Sequence, residues 1–199
     1  MYEIINNLDG TPTLLIHSCC APCSSHVLSL LSDYFKITVL YYNPNIEPKE
    51  EYEKRKSEQV RFIKEFQGKN EIKFLDIDYD NETYRKCVIG LEKEAEGGAR
   101  CDKCFYLRLD KTAKLAKENY FDFFGTTLTV SPYKNHIKIN NIGEELSKKY
   151  DLKFLYSDFK KQNGYKNSIE LSKKYNLYRQ HYCGCLFSKN ISERSNLND

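Results

Sequence analysis

Short apolar, β-branched runs alternate with helical patterns along this 199-residue chain, and that alternation constrains its fold more than any other feature. Thr13–His17 (TLLIH) is a continuous apolar run, read as a buried strand. Residues 22–34 carry Val27, Leu28, Leu30 and Leu31 at helical spacing. Residues 36–42 (KITVLYY) give a second strand, and 43–48 a turn-rich loop. Residues 49–67 form a charged amphipathic helix with Tyr52, Val60, Phe62, Ile63 and Phe66 toward its apolar side. A third strand is expected at 72–77, a fourth at 120–125 and a fifth at 152–156. Helical segments are expected at 82–94, 102–118, 141–149 and 167–175. Strands that alternate with helices predict an α/β fold, a parallel sheet sandwiched by helices. Ligands of such sheets bind beyond the carboxyl ends of the strands. That rule puts Ser18-Cys19-Cys20, just after the first strand, at the expected site. No repeat or linker interrupts the chain, so residues 1–199 are read as a single domain.

The eight cysteines are the chemical signal, and seven of them fall in three tight clusters. The N-terminal MYEIINNLDG lacks the basic and apolar regions of a signal peptide, and no apolar run approaches a membrane span. The expected location is cytoplasmic, with no membrane partner. In a reducing compartment, clustered cysteines bind metal or do redox chemistry more often than they form staples.

The first cluster, HSCCAPCSS, holds Cys19, Cys20 and Cys23 where a strand hands over to a helix. Pro22 suits a first helical turn. Free N–H groups there lower thiol pKa and favour anions. The second cluster, RCDKCFYLRL, holds Cys101 and Cys104 after Gly97-Gly98. Its C-x-x-C spacing lets two sulfurs converge on one centre. Four thiolates from two pieces of chain would satisfy a 4Fe–4S cluster, or equally a tetrahedral zinc. The third cluster, HYCGCLF, holds Cys183 and Cys185. A disulfide there would close a small, strained, easily reduced ring; the pair could carry two electrons or add metal ligands. Cys87 stands alone on a helical segment and reads as a small buried hydrophobe outside the site. His17 and His26 flank the first cluster as hydrogen-bonded bystanders. His181, two residues before Cys183, is a candidate proton donor. Thr126, Thr127 and Ser131 follow the fourth strand, where hydroxyls contact ligand or simply shape a turn.

Charge is uneven. From Lys134 to Arg179 there are 11 Lys/Arg against 5 Asp/Glu; the rest has 20 against 23. A helical, basic C-terminal part fits a polyanionic partner or a solvated helical face. Tyr165, Tyr175, Tyr178 and Tyr182 lie among these cations, a pattern that can stack unpaired bases.

Taken in order, HSCCAPCSS, YYNPNIEPKEEYEKR, CDKCFYLRL, GTTLTVSPYKN, KKQNGY and YRQHYCGC closely resemble the epoxyqueuosine reductase QueH family, over residues 14–188. The resemblance implies a nucleotide-hydrolase-like (PP-loop/HUP) α/β sandwich. It implies reductive removal of the epoxide oxygen of epoxyqueuosine at the tRNA wobble position. It implies a 4Fe–4S cluster on Cys19, Cys20, Cys101 and Cys104, and a redox-active Cys183/Cys185 pair. An additional iron can sit beside the cluster in this family, with Cys23 nearest to it. The partners implied are a tRNA with a queuosine-type anticodon and an electron donor of unspecified identity. The phosphate-binding glycine loop of PP-loop enzymes is absent, and HSCCAPC occupies that strand end. This counts against the alternative of a PP-loop tRNA thiolation enzyme. A zinc-stabilised RNA-binding module is the other alternative.

Overall fold

The computed structural model describes residues 1–189. Five parallel strands form one sheet in the order β3-β2-β1-β4-β5. They are β1 (Thr13–His17), β2 (Lys36–Leu40), β3 (Ile72–Leu75), β4 (Phe123–Thr126) and β5 (Lys153–Phe154). The chain winds outward from β1 to β3, then returns to place β4 on the other side of β1. The switch point of the sheet therefore lies between β1 and β4, where Leu14, Leu15, Ile16 and His17 pair with Phe123, Phe124, Gly125 and Thr126.

The helices named among the described residues are α1 (Tyr2–Asn6), α2 (Ala21–Leu31), α3 (Lys49–Glu65), α4 (Asn81–Cys87), α5 (Ala99–Glu118), α6 (His136–Tyr150) and α7 (Gly164–Lys174). The period-2 geometry of the strands sorts the core into two layers. Leu14 and Ile16 of β1 join Ile37 and Val39 of β2 under Val27, Leu28 and Leu31 of α2 and Phe62 of α3. Leu15 and Leu40 point the other way, under Phe105, Leu109, Ala113 and Ala116 of α5 and Ile139 and Leu146 of α6. The α5 residues follow one another at helical intervals of three and four, which gives a single buried stripe.

The parallel sandwich read from the sequence is present, with shifted element ends. The fourth strand starts at Phe123, not at residue 120, because Tyr120 and Phe121 close α5. Tyr120 takes a left-handed φ of 58°, and the Phe121 amide returns to the Ala116 carbonyl at 2.9 Å. Helix α6 starts five residues earlier than expected, since Asn135 caps it by accepting from the Ile137 and Lys138 amides. Helix α5 begins at Ala99, three residues early, which brings Cys101 onto its first turn ahead of Cys104. Helix α4 stops at Cys87, and Gly90 turns the chain with φ 80°. Helix α1 and a 3-10 turn at Leu128–Val130 were not expected from periodicity.

Close packing of α6 on β5 leaves no room at Gly143, where an added Cβ would lie 2.3 Å from the Phe154 ring. Gly143→Ala should cost about 1–3 kcal/mol through overpacking, partly offset by helix propensity. A drop of a few degrees in the melting temperature, roughly 2–4 °C per kcal/mol for a chain of this size, is the expected reading.

Candidate active site

The site grows from the end of β1. The Ser18 amide donates to the Leu40 carbonyl and the Thr127 amide to the His17 carbonyl, so the ladder runs one step past His17 on both sides. Cys20 then turns into α2 as its N-cap, with Pro22 in the first turn. Ser18 Oγ and Ser24 Oγ both donate to Gln59 Oε1 of α3, at 2.7 and 2.9 Å. This pins the cysteine turn against a neighbouring helix.

His17 is structural. Its Nδ1 lies 3.1 Å from Thr126 Oγ1, and Nε2 lies 3.1 Å from the Tyr42 carbonyl. Burial, aided by the Arg108 charge, pushes its pKa down to about 3, so the ring is neutral at ordinary pH. His26 is half-buried beside Gly164 of α7. His17 is the hydrogen-bonded bystander expected, and His26 packs beside α7.

Cys19, Cys20 and Cys23 converge: their sulfurs all lie within 4.8 Å of one another, and Cys19 and Cys20 are 3.7 Å apart. Thiols of Cys20 and Cys23 hydrogen-bond to Cys19 and hold it well below the usual thiol range. Donating to Cys19, next to its charge and buried, raises Cys20 to about 12 and Cys23 well above its ordinary value. Gln180 Nε2 donates to Cys20 Sγ at 3.0 Å. Three soft donors this close could hold one metal ion.

Cys101 and Cys104 do not belong to that tight trio. They stand one turn apart on α5. Cys101 accepts from the Gly97 amide at 3.2 Å and packs against the apolar cluster that contains Cys19 and Cys20. Cys104 is buried with Cys185, Tyr84 and Val88, and burial raises its thiol to about 12. Cys101 and Cys104 both feel the charges of Cys183 and Cys185, so the second and third clusters are neighbours. All eight cysteines are free thiols, Cys183 and Cys185 among them. Cys87 donates to the Lys103 carbonyl at 3.8 Å, and burial raises its thiol.

Arg108 sits one turn below Cys104 and is 1% exposed. Its Nε donates to the Cys104 carbonyl at 3.2 Å, while Nη2 is buried without a partner. No carboxylate pairs with it among the described residues. The groups it interacts with electrostatically are the thiols of Cys104, Cys183 and Cys19, one from each cluster, and the Tyr84 phenol. A cation buried without a counter-ion is costly; among the described residues the groups around it that can become anionic include these three thiols and the Tyr84 phenol.

A cavity of about 550 Å³ opens beside this assembly. Cys19, Cys23, Lys134, Gln180, His181 and Cys183 line it, with Ser131 and the aromatic rings of Tyr133, Tyr165 and Tyr182. Ser131 therefore faces the cavity, whereas Thr126 supports His17 from within the core. Lys134 is raised above an ordinary lysine by the charges of Cys183, Cys19 and Cys23. The basic stretch is partly neutralised locally: Lys138 pairs with Asp102, Lys148 with Glu144, Lys149 with Asp110 and Lys160 with Asp158.

The C-terminal strap after α7 delivers Cys183 by crossing α3. Glu58 Oε1 accepts from the Tyr178 amide at 2.7 Å, and Arg61 donates to the Tyr175 and Asn176 carbonyls. Arg61 and the Tyr178 amide hold Glu58 below the usual glutamate range. A carboxylate with a lowered folded pKa stabilises above its unfolded value of about 4.3 and loses that contribution as pH falls through the folded value. Strap docking should therefore weaken below pH ~4, and Glu58→Gln should flatten that dependence; proteolysis within the strap against pH reads it. Gln59, Arg108, Gln180, Lys134 and Glu58 were not expected from the sequence. For Glu58, Gln59 and Arg108 the only signal is a polar residue on a helix face, which is ambiguous in a single chain; Lys134 and Gln180 lie outside the helices and leave no periodic signal.

Among the described residues no helix is long and apolar enough to cross a membrane. In fold, the chain resembles a predicted subunit of tRNA methyltransferase from Methanocaldococcus jannaschii, with a TM-score of 0.50 at 13% identity over 80% of this chain and 74% of that one. In sequence it is 48% identical over 179 residues to an epoxyqueuosine reductase QueH of Streptococcus pyogenes, spanning 89% of this chain and 70% of that protein. It is 37% identical over 185 residues to one of Thermotoga maritima, spanning 88% and 90%. The family model for epoxyqueuosine reductase QueH matches residues 14–191, so the cysteine site at the switch point is carried by a chain that belongs to the QueH family.

Proposed function

We propose that this chain is an epoxyqueuosine reductase that acts on the wobble position of tRNA. It takes the epoxide oxygen to water and leaves an alkene, giving queuosine, the last step of queuosine synthesis. One observation carries the reading. A buried, unpaired guanidinium, that of Arg108, shares its field with a thiol from each of three cysteine clusters, and two of those thiols, Cys19 and Cys183, line one cavity. Its volume of about 550 Å³ suits a modified base turned out of an anticodon loop.

The residues fit a 4Fe–4S cluster. Thiolates are its ligands, and Arg108 offers a buried positive charge that only an anionic centre would balance. Cys19, Cys20, Cys101 and Cys104 would hold it, and Cys23 would stand beside it toward an additional iron. Such a centre supplies a Lewis acid for the epoxide oxygen and a route for single electrons.

The chain's own residues do the rest. Tyr133, Tyr165 and Tyr182 offer rings for stacking, with Lys134 and Arg179 for phosphate. Lys134 places a positive charge where the departing oxygen gains electrons, and His181 in the cavity wall is the proton donor of this reading. Loss of the oxygen as water takes two electrons and two protons. Closure of the Cys183/Cys185 dithiol to a disulfide releases two of each. A separate two-electron donor restores the dithiol. The whole chain, 1–199, works as one cytoplasmic α/β domain in this reading.

The test is anaerobic turnover on tRNA that carries epoxyqueuosine. Wild type should form queuosine, and Cys183→Ser should form none over repeated turnovers. Equal turnover by Cys183→Ser would remove the dithiol from the mechanism.

A further inference from the structure

The Cys-Gly-Cys segment is gripped by groups that are not cysteines. Arg55 of α3 is buried, with 1% of its side chain exposed. Its Nε pairs with Glu51 Oε1 at 2.7 Å, one helical turn back. The two terminal nitrogens reach across to main chain: Nη1 donates to the Cys183 carbonyl at 3.2 Å and Nη2 to the Tyr182 carbonyl at 3.3 Å. The guanidinium also lies 5.0 Å from the Tyr182 ring centre. Glu51 is fixed in turn by the Tyr178 hydroxyl, at 3.1 Å.

The loop after β2 grips the other side. The Glu47 amide donates to the Gly184 carbonyl at 2.9 Å, and the Tyr182 hydroxyl donates to the Glu47 carbonyl at 2.6 Å. Gly184 has φ 138°, and a Cβ there would come 2.9 Å from Ile46 and 3.1 Å from Asn45. The same loop reaches the first cysteine cluster, because Asn43 Nδ2 donates to the Ser18 carbonyl at 2.8 Å. One rigid bridge thus joins the turn that holds Cys19 and Cys20 to the backbone that holds Cys183 and Cys185.

We propose that Arg55, aimed by Glu51, is a positioning residue for the Cys183/Cys185 pair, and that its two carbonyl bonds favour the open dithiol over the disulfide. The inference rests on the reading of this pair as the two-electron donor. Guanidinium geometry is essential to it: a planar fork can serve two successive carbonyls and a carboxylate at once, and a lysine ammonium cannot. A Cys-Gly-Cys disulfide closes a small ring, which needs the intervening backbone to turn. Clamped carbonyls resist that turn. The disulfide formed in turnover is then strained and readily reduced, so the dithiol is easily regenerated.

The experiment measures the pair itself. The full-length chain is equilibrated anaerobically in reduced and oxidised glutathione, where oxidation of Cys183 and Cys185 to the disulfide reduces one oxidised glutathione to two thiols. Differential alkylation and mass spectrometry then give the disulfide fraction. Arg55→Lys, Arg55→Gln and Glu51→Gln are compared with wild type. Arg55→Lys and Arg55→Gln should favour the disulfide by roughly tenfold, about 30 mV for a two-electron couple, and Glu51→Gln should shift the same way by less. Arg55→Lys keeps the charge and Glu51→Gln the shape, so they report even where Arg55→Gln fails to fold. An unchanged equilibrium, a shift toward the dithiol, or a loss of melting temperature alone would overturn the proposal. Turnover of Cys183→Ser is scored separately: its survival sinks the donor role, while a shifted equilibrium in the Arg55 variants stands regardless.

Discussion

Cys101→Ala is expected to lose bound iron and turnover together while keeping its fold. In the metal-free chain the Cys101 thiol is half-buried and makes one bond, from the Gly97 amide at 3.2 Å, which is worth about 1 kcal/mol. Helix α5 continues beneath it on Phe105, Leu109, Ala113 and Ala116, so the melting temperature of the apo chain should move little. Loss of one of four ligands is different. An incomplete thiolate set does not retain a cubane cluster through purification. Iron should fall from about four per chain to a small residue, and queuosine formation should become undetectable. Cys87→Ala is the matched control. Its thiol makes only a long contact to the Lys103 carbonyl at 3.8 Å, and both iron and turnover should be retained. Full activity in Cys101→Ala would remove Cys101 from the ligand set.

Arg108→Met carries the second large effect, with opposite signs in the two forms of the protein. In the metal-free chain Arg108 is a buried cation with no carboxylate paired to it among the described residues, and burial pushes the pKa of the Cys104 thiol beside it up to about 12. Replacement of such a charge by an apolar side chain of similar length is commonly neutral or stabilising by about 1–4 kcal/mol. The apo chain should therefore melt at the same temperature or higher. Metal binding strips protons from the thiols and builds negative charge around the guanidinium. Without it, retention of iron against a chelator should fall by about 10–100-fold, the usual scale for groups that support metal ligands from behind. Equal iron retention by both proteins would show that Arg108 serves only to hold the Cys104 carbonyl.

The layers of the fold were legible because their signals are local. Continuous apolar runs such as TLLIH and KITVL can bury both faces only in the middle of a parallel sheet, and they occupy its centre. Ends were less legible because they depend on caps. Asn135 starts α6 and Tyr120 closes α5, and neither position differs in composition from the loop around it. The cysteine positions were legible from spacing, and the trio at the β1 switch point forms as expected. The expected helix at 102–118 already held Cys104, but the sequence could not say that Cys101 joins it or that both stand apart from that trio. Buried cations were the least legible. Arg55 and Arg108 lie in segments rich in Lys, Arg and Glu, where a charge ordinarily faces water. Arg55 is held by the carbonyls of Tyr182 and Cys183, contacts across 127 and 128 residues that leave no local mark, whereas Arg108 reaches the Cys104 carbonyl one turn back on its own helix.

In the function proposed above, these thiols hold an iron–sulfur centre for epoxyqueuosine reduction. Anaerobic purification of the full chain, with an absorption spectrum and iron, sulfide and zinc analysis, tests it most directly. A brown protein with about four irons and four sulfides per chain, absorbing near ~400 nm, is expected. A colourless chain that holds one zinc, and recovers no iron on reconstitution, would contradict it.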